Sequence, residues 1–223
     1  VYKNLIPYKL EKHEVQRNLD LIGFEYDDKN WRIIPEIKSD EQNVEKVRLF
    51  INQNDLVNGF IAIAPGSVWN TKKYPSDYFE VIIKHFVDRK ISIVLIGGEN
   101  DKSICEIIVS KFNDYVFNAA GIFSIVESIE LLKSTKLLLS NDSAPTHMGM
   151  CADTKVLTIY CSTVPDFGFY PYNSKSSSIS FNDLKCKPCG IHGYEACPIN
   201  IFECAMKLLP DQILLKAEEM LRD

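Results

Sequence analysis

Residues 140–147, SNDSAPTH, follow an apolar run and combine an acid, hydroxyl side chains and a histidine. Asp142 or Ser143 is expected to cap a helix that begins here, with Ala144 in its first turn. The free N–H groups of such a turn and the positive end of the helix dipole attract anions. His147 would lie one turn further on, although a lone histidine is more often a packing residue. The stretch predicts either an ordinary capped helix or a diphosphate site.

A second loop, residues 64–75 (APGSVWNTKKYP), follows another predicted strand. Its glycine lets the backbone approach an anion, Ser67 and Thr71 offer hydroxyl donors, and Lys72 or Lys73 supplies a positive charge. It is not a Walker A loop, because GxxxxGK[ST] is absent. Taken alone, the loop is more typical of a solvated segment with surface lysines.

A third loop, residues 96–103 (IGGENDKS), places paired glycines and two acids after a strand. Glu99 or Asp101 can accept hydrogen bonds from ribose hydroxyls, and either acid can equally cap a helix. An anion cradle, a lysine and a ribose-type acid at one sheet edge together favour a nucleotide diphosphate ligand. The missing GxGxxG fingerprint argues against an NAD or FAD dehydrogenase.

These loops need a parallel sheet to bring them together, since ligands of such sheets bind beyond the carboxyl ends of the strands. From Phe60 onward, short apolar runs alternate with stretches of helical period, which predicts βαβ units in a Rossmann-like α/β domain over 59–223. Strands are expected at 60–66, 91–98, 115–121, 136–140, 155–160 and 176–181. The first of these ranges includes the turn that follows the strand. Helices are expected at 76–90 (capped by Ser76 or Asp77), 100–112, 124–134, from about 143, and 211–222.

Residues 1–58 do not fit this repeat. Helical spacing appears at 12–23 and 41–54, and 30–37 predicts an edge strand broken at Pro35. We interpret the region as a connection, or the tail of an N-terminal domain. Because the chain opens at Val1 in mid-pattern, a fragment or a processed form of a longer protein and a natural short form are all considered.

Composition narrows the functional classes. The 223 residues are 46% hydrophobic and carry a formal charge of −5 without basic blocks, so nucleic acid is not an expected partner. No apolar run reaches the roughly 20 residues that a membrane-spanning helix needs, and no signal segment opens the chain. A cytoplasmic location is expected.

Four of the seven cysteines lie in a cysteine-rich segment, residues 186–204. Its CxxC pair is typical of zinc sites, and His192 is a further ligand candidate. The second pair, with six residues between its members, is looser than usual. A structural zinc ion and reduced buried thiols both remain open, and a disulfide is disfavoured in a reducing compartment. The four are Cys186, Cys189, Cys197 and Cys204.

Four segments together resemble the ADP-heptose:lipopolysaccharide heptosyltransferases, glycosyltransferase family 9. They are PGSVWNTKKYP, VLIGGENDK, AAGIFSIVESIELLKSTKLLLSNDSAPTHMGMCADTKVLTIYCSTVP and CKPCGIHGYEACPINIFECAM. The resemblance extends from about Phe60 to the C terminus, with a weaker match in LIPYKLEKHEVQRNLDLIG. It implies a two-domain GT-B fold whose C-terminal Rossmann-like domain holds the nucleotide sugar.

The resemblance also implies roles for individual residues. Ala144 departs from the family, in which glycine is common at this position, so the room for close backbone approach is reduced. By position the donor-binding residues are Ser67 and Lys72 at the phosphates, Asp101 at the ribose, Phe123 near the adenine, and Asp142, Ser143, Ala144 and His147 at the diphosphate and sugar.

The implied reaction is attack of an acceptor hydroxyl on the anomeric carbon of ADP-heptose or a similar donor, with inversion and departure of ADP. The acceptor would be the lipopolysaccharide core or a related lipid-linked glycan, reached through at most peripheral contact with the inner face of the inner membrane. The helix N terminus and Lys72 would stabilise the leaving diphosphate, so no cofactor is required for transfer.

The family's general base, an aspartate, belongs to an N-terminal acceptor domain that this chain lacks, so no catalytic base is assigned. The chain would be the donor-binding half of an enzyme. Two alternatives remain: a non-catalytic nucleotide-binding or cysteine-stabilised interaction module, and a GT-B-like nucleotide-sugar epimerase. The epimerase ranks lower, because SNDSAPTH and the cysteine-rich segment fit heptosyltransferases better.

Overall fold

A computed structural model describes residues 5–112 and 114–222. Its centre is a six-stranded sheet in which every pairing is parallel, with strand order β3-β2-β1-β4-β5-β6. The winding reverses between β1 and β4, which are adjacent, so the loops that follow these two strands diverge and leave a crevice. The strands are β1 Phe60–Ala64, β2 Ile93–Leu95, β3 Val116–Asn118, β4 Thr135–Asn141, β5 Val156–Tyr160 and β6 Ser177–Ser180.

Helices cover both faces of the sheet. They are α1 Glu14–Leu21, α2 Glu41–Gln53, α3 Ser76–Val87, α4 Lys102–Val109, α5 Ile125–Leu132, α6 Ala144–Cys151, α7 Glu203–Met206 and α8 Pro210–Arg222, with short 3₁₀ turns at Asn70–Lys72, Glu99–Asp101 and Pro165–Phe167. Every residue of β1 and β5 is buried, which explains why these strands are nearly continuous apolar runs rather than alternating ones.

Two hydrophobic clusters lie on opposite faces of the sheet. One contains Phe79 of α3 and Ile213 of α8 together with Ile61 of β1. The other contains Leu132 of α5 together with Trp31 and Val47. Part of the segment predicted to be a connection therefore packs on the same core as the sheet. The division at residue 58 stays a prediction.

The fold class predicted from the sequence is confirmed, and each predicted strand and helix from Phe60 onward has a counterpart. The prediction of an edge strand at 30–37 is wrong. In the described structure this segment is irregular, and Trp31 is buried against the rings of His13 and Tyr172. The segment is therefore held by the burial of the Trp31 ring rather than by hydrogen bonds to a neighbouring strand. The short helix α7 had no clear periodic signal.

The helix caps follow the predictions only in part. Helix α3 does start at Ser76, but the N-cap position belongs to Pro75 rather than to Ser76 or Asp77. None of the helices in the described ranges combines the length and apolarity needed to cross a bilayer.

Candidate functional site

Asn141, at the end of β4, holds the crevice together. Its buried side-chain amide donates to the carbonyls of Pro65 (2.8 Å) and Gly66 (3.2 Å). Its oxygen accepts from the amide of Tyr74 at 3.0 Å. The loop after β1 is therefore fixed to the end of β4 at both of its ends. The sequence analysis did not predict a role for Asn141. A polar residue at the end of an apolar strand could have indicated one.

A cleft of about 560 Å³ opens at the carboxyl ends of β1, β2 and β4. Its walls combine apolar side chains such as Ile96 and Met148 with the glycines of the 96–103 loop. Such a mixture suits a ligand with an apolar base and a polar remainder. The predicted donor-binding residues that line it are Ser67, Asp101, Phe123, Ser143 and Ala144.

Lys72 and Asp142 do not line this cleft; they form an ion pair. Lys72 Nζ lies 2.7 Å from Asp142 Oδ2, and only 14% and 10% of the two side chains are exposed. The hydroxyl of the fully buried Thr163 also donates to Asp142 Oδ2, at 2.6 Å. The positive charge of Lys72, which was predicted to bind a phosphate, is thus already neutralised by the Asp142 carboxylate. The lysine that lines the cleft is Lys73.

His147 lies beside this ion pair. Desolvation lowers the pKa of His147, Lys72 lowers it further, and Asp142 opposes both. His147 is exposed at the surface, and its ring centroid lies 6.4 Å from that of Phe169. His147 therefore favours the neutral form, which can donate or accept a hydrogen bond but supplies no fixed positive charge.

The N terminus of α6 differs from the expected cap. Ser143 takes the N-cap position, but its hydroxyl donates to the Asn141 carbonyl at 3.3 Å and makes no capping bond within the described helix. Asp142 is engaged by Lys72, so the prediction that either side chain caps α6 is wrong. Within the described first turn, Pro145 has no N–H and the Thr146 amide donates to the Ser143 carbonyl at 3.1 Å, so the Ala144 amide is the donor left for a ligand.

Asp101 lies on the opposite wall. Its Oδ2 accepts from the amide of Gly98 at 3.0 Å. A Cβ on Gly66 would lie 2.0 Å from Asp101 Oδ1, so the absence of a side chain at Gly66 is what allows the carboxylate to reach the loop after β1. The other predicted acid, Glu99, is largely exposed and lies 3.8 Å from Lys102.

Phe123 is held in place by α2, which belongs to the region predicted as a connection. The ring of Phe50 meets it edge-on, with centroids 5.2 Å apart, and Lys46 Nζ lies 5.4 Å from its centroid. Lys46 Nζ also donates to Glu127 at 2.9 Å. The Ser124 amide is the main cause that lowers the pKa of Glu127, and Lys46 adds to it.

The four clustered cysteines line one pocket of about 200 Å³, and all are free thiols. Burial raises the pKa of Cys197, but surrounding backbone amides from Ile199 to Phe202 outweigh it and lower the pKa. Burial raises the pKa of Cys204 to about 11. Within the described residues, no three His, Cys, Asp or Glu side chains are arranged as a metal-ion site. His192 is exposed and outside the pocket lining.

The strand order 3-2-1-4-5-6, with a cleft at the switch point and a helix N terminus in its wall, defines a Rossmann-like α/β domain, a class whose ligands bind at that point. The family follows from direct comparison. The chain belongs to glycosyltransferase family 9 (heptosyltransferase), whose family model matches residues 2–194. The resemblance inferred from the sequence motifs is confirmed.

Individual relatives agree with this assignment. Lipooligosaccharide heptosyltransferase 2 of Campylobacter jejuni is 24% identical over 179 residues, which are 77% of this chain and 55% of that protein. A solved family 9 glycosyltransferase from Veillonella parvula matches with a TM-score of 0.77 and 17% identity, covering 94% of this chain and 60% of its own. ADP-heptose lps heptosyltransferase II of Escherichia coli matches with a TM-score of 0.67 and 20% identity, covering 84% and 53%. The chain spans about half the length of the first relatives it matches.

Proposed function

We propose that this chain is the donor-binding half of a GT-B glycosyltransferase that transfers a sugar from an ADP-activated donor, such as ADP-heptose, to lipopolysaccharide core or a related lipid-linked glycan. The observation that carries the proposal is the cleft at the switch point, which joins Ser67, Asp101 and Phe123 to the N terminus of α6 in a chain of this family. Transfer would take place on the cytoplasmic side of the inner membrane.

The cleft suggests how ADP would lie. Adenine would stack in the apolar part beside Phe123 and Ile96, and Asp101 would accept from the ribose hydroxyls. The diphosphate would meet the Ser67 hydroxyl and the Ala144 amide at the start of α6. Ala144 leaves this cradle with one methyl group more than the family's common glycine.

Lys72 would assist departure of the diphosphate. Negative charge grows on ADP as the sugar leaves, and a cation held near it lowers the barrier. In the free protein Lys72 is paired with Asp142, so the diphosphate would take over part of that pairing. Asp142, as a carboxylate, would then contact a sugar hydroxyl or position Lys72 rather than bind phosphate. No general base is assigned in this half.

Calorimetry with ADP tests donor binding. We expect saturable binding that weakens by about 10- to 100-fold in Lys72→Ala, because a charge-assisted contact contributes roughly 1.5–3 kcal/mol. Lys136→Ala is the matched control, since Lys136 lies at the amino end of β4, away from the cleft. Absence of binding to folded wild-type protein would contradict the proposal and favour a non-nucleotide interaction module.

The cysteine-rich segment is proposed to hold a structural zinc ion through Cys186, Cys189, Cys197 and Cys204. Supporting this, the four thiols line one pocket, and the amides around Cys197 stabilise the thiolate form that binds zinc. The described side chains do not converge on one metal position, so binding would have to draw the thiols together.

Elemental analysis of protein purified without added metal tests the zinc proposal. We expect about one zinc ion per chain, lost in Cys189→Ser and retained in Cys151→Ser, whose cysteine lies on α6. A zinc content below about a tenth of an equivalent would leave reduced buried thiols as the explanation of the cluster.

A further inference from the structure

We infer that the cysteine-rich segment, residues 186–204, positions Lys72 for the donor diphosphate by clamping the 3₁₀ turn Asn70–Lys72 through Thr71. The inference rests on the proposed function, since it assigns a positioning role at the same site. The segment packs directly against the turn and against the Lys72 stem. Neither the zinc proposal nor the donor contacts account for this packing.

Thr71 and Tyr194 form a reciprocal pair of hydrogen bonds. The Thr71 amide donates to the Tyr194 carbonyl at 3.0 Å, and the Tyr194 amide donates to Thr71 Oγ1 at 2.7 Å. Thr71 is only 3% exposed, so its hydroxyl is not the free ligand donor expected from the sequence. A reciprocal pair of this kind, centred on the buried Thr71, fixes the backbone one residue before Lys72.

The clamp is tied to the sheet at further points. Ser162, just after β5, donates from its hydroxyl to Thr71 Oγ1 at 3.1 Å and accepts the Cys189 amide on its carbonyl at 2.8 Å. Lys187 Nζ donates to the Tyr160 carbonyl at 2.9 Å and to the Ser180 hydroxyl. The segment is therefore anchored to the ends of β5 and β6 while it holds the turn.

Gly193 shows how closely the segment approaches Lys72. Its φ is +79°, and a Cβ there would lie 2.9 Å from Thr71 Oγ1 and 3.3 Å from Lys72 Cγ. The part of the Lys72 side chain nearest the main chain thus packs against this backbone, while its ammonium group pairs with Asp142. A lysine confined before the ligand arrives loses less rotamer entropy on binding, and this pre-organisation raises affinity for the diphosphate.

Two glycines of the same segment provide a matched test. Gly190 has a similar φ of +68°, but its added Cβ would come no closer than 3.6 Å to another group, the Tyr194 hydroxyl. Both alanine variants therefore carry the same kind of backbone strain, and only Gly193→Ala pushes on Thr71 and Lys72. We expect calorimetry with ADP to show about a tenfold loss of affinity for Gly193→Ala and less than about a twofold change for Gly190→Ala.

A second pair of variants separates positioning from general loosening. Thr71→Val removes the hydroxyl at nearly constant volume and is expected to weaken ADP binding. Thr71→Ser keeps the hydroxyl and is expected to bind ADP as the wild type does. In a Lys72→Ala background, Gly193→Ala should add less than about a twofold loss, because both changes act through the same side chain. Thermal melts show whether each variant is folded. If Gly193→Ala does not fold, Thr71→Val takes its place as the test of the positioning role.

The outcomes separate the two proposals. If the wild-type chain binds no ADP, the proposed function fails and this inference fails with it. If the wild type binds and the two glycine variants bind alike, or if the losses in Gly193→Ala and Lys72→Ala simply multiply, the positioning role alone is overturned.

Discussion

Replacing Asp142 with alanine is expected to destabilise the free protein by about 3 kcal/mol while leaving ADP binding as tight as in the wild type or tighter. The two results run in opposite directions because they report on different partners of Lys72. The carboxylate stabilises the lysine when the site is empty, and the diphosphate competes for the same cation when the site is filled.

The destabilisation follows from burial. Lys72 and Asp142 are 14% and 10% exposed, so removing the carboxylate leaves a nearly buried ammonium without its partner. Losing one member of a buried pair costs roughly 3–5 kcal/mol, and the residual exposure places the expected value at the lower end. Thr163, fully buried, also loses the acceptor of its hydroxyl.

The binding result follows from the same pair. In the wild type, ADP must draw Lys72 partly away from Asp142, and two negative groups then share one cation. Without the carboxylate the diphosphate meets an unpaired lysine. We therefore expect ADP to raise the melting temperature of Asp142→Ala by more than it raises that of the wild type.

Urea unfolding and melting curves with and without ADP measure both effects. Asp166→Ala is the control, because Asp166 is an exposed acid in the turn that follows β5 and leaves the ion pair intact. A clear loss of ADP affinity in a folded Asp142→Ala protein would overturn the competition between the carboxylate and the diphosphate, and would mean that Asp142 contacts the nucleotide or positions Lys72 for it. ADP lacks the transferred sugar of the donor, so such a loss could not be attributed to a contact with that sugar.

The ion pair illustrates what the sequence could and could not predict. Alternating apolar runs predicted the strands and helices from Phe60 onward, because burial of both sheet faces leaves a strong local pattern. The same pattern located the loops that meet at the switch point. It also placed Ser67, Asp101 and Ser143 on one cleft, since the carboxyl ends of parallel strands share an edge.

The contacts between loops could not be predicted from the pattern of apolar runs. Local rules expected Asp142 to act as a cap, yet a lysine 70 positions earlier in the chain engages it instead. Thr71 was expected to be a free donor, but the Tyr194 amide uses its hydroxyl. Asn141 bridges β4 to the loop after β1 through side-chain geometry. Each of these depends on distant residues, and a single sequence carries no periodic signal for them.

His13 is a further long-range contact, and it has a consequence for pH. It is 3% exposed and packs edge-on against the ring of Tyr170, with centroids 4.7 Å apart. Its Nδ1 accepts from the Val15 amide at 3.1 Å, which leaves Nε2–H to donate to the Tyr170 carbonyl at 2.9 Å. The folded protein thus requires the neutral ring, because protonation of Nδ1 would remove the acceptor that caps α1.

Burial is the main cause that lowers the pKa of His13 from 6.5 to about 4; the hydrogen bond to the Tyr170 carbonyl opposes this lowering, and the charge of Arg17 adds to it. The unfolded chain takes up this proton near pH 6.5 and the folded chain only near pH 4, so stability is retained above pH 6.5 and lost as the pH falls towards 4. The two pKa values differ by an amount worth about 3 kcal/mol, of which about 2 kcal/mol should be lost between pH 7 and pH 5.

Urea unfolding of the full chain from pH 7 to pH 4 tests this, with His13→Asn as the comparison. Asparagine keeps a capping oxygen but does not titrate, so the variant should be less stable at pH 7 and should lose about 2 kcal/mol less than the wild type on going to pH 5. Carboxylates that titrate in this range are common to both proteins and cancel in the difference. His192→Asn, at an exposed histidine, should follow the wild-type profile. Parallel pH profiles for wild type and His13→Asn would show that the folded protein tolerates a charged His13, and the link between α1 and the loop after β5 would then not depend on the neutral ring.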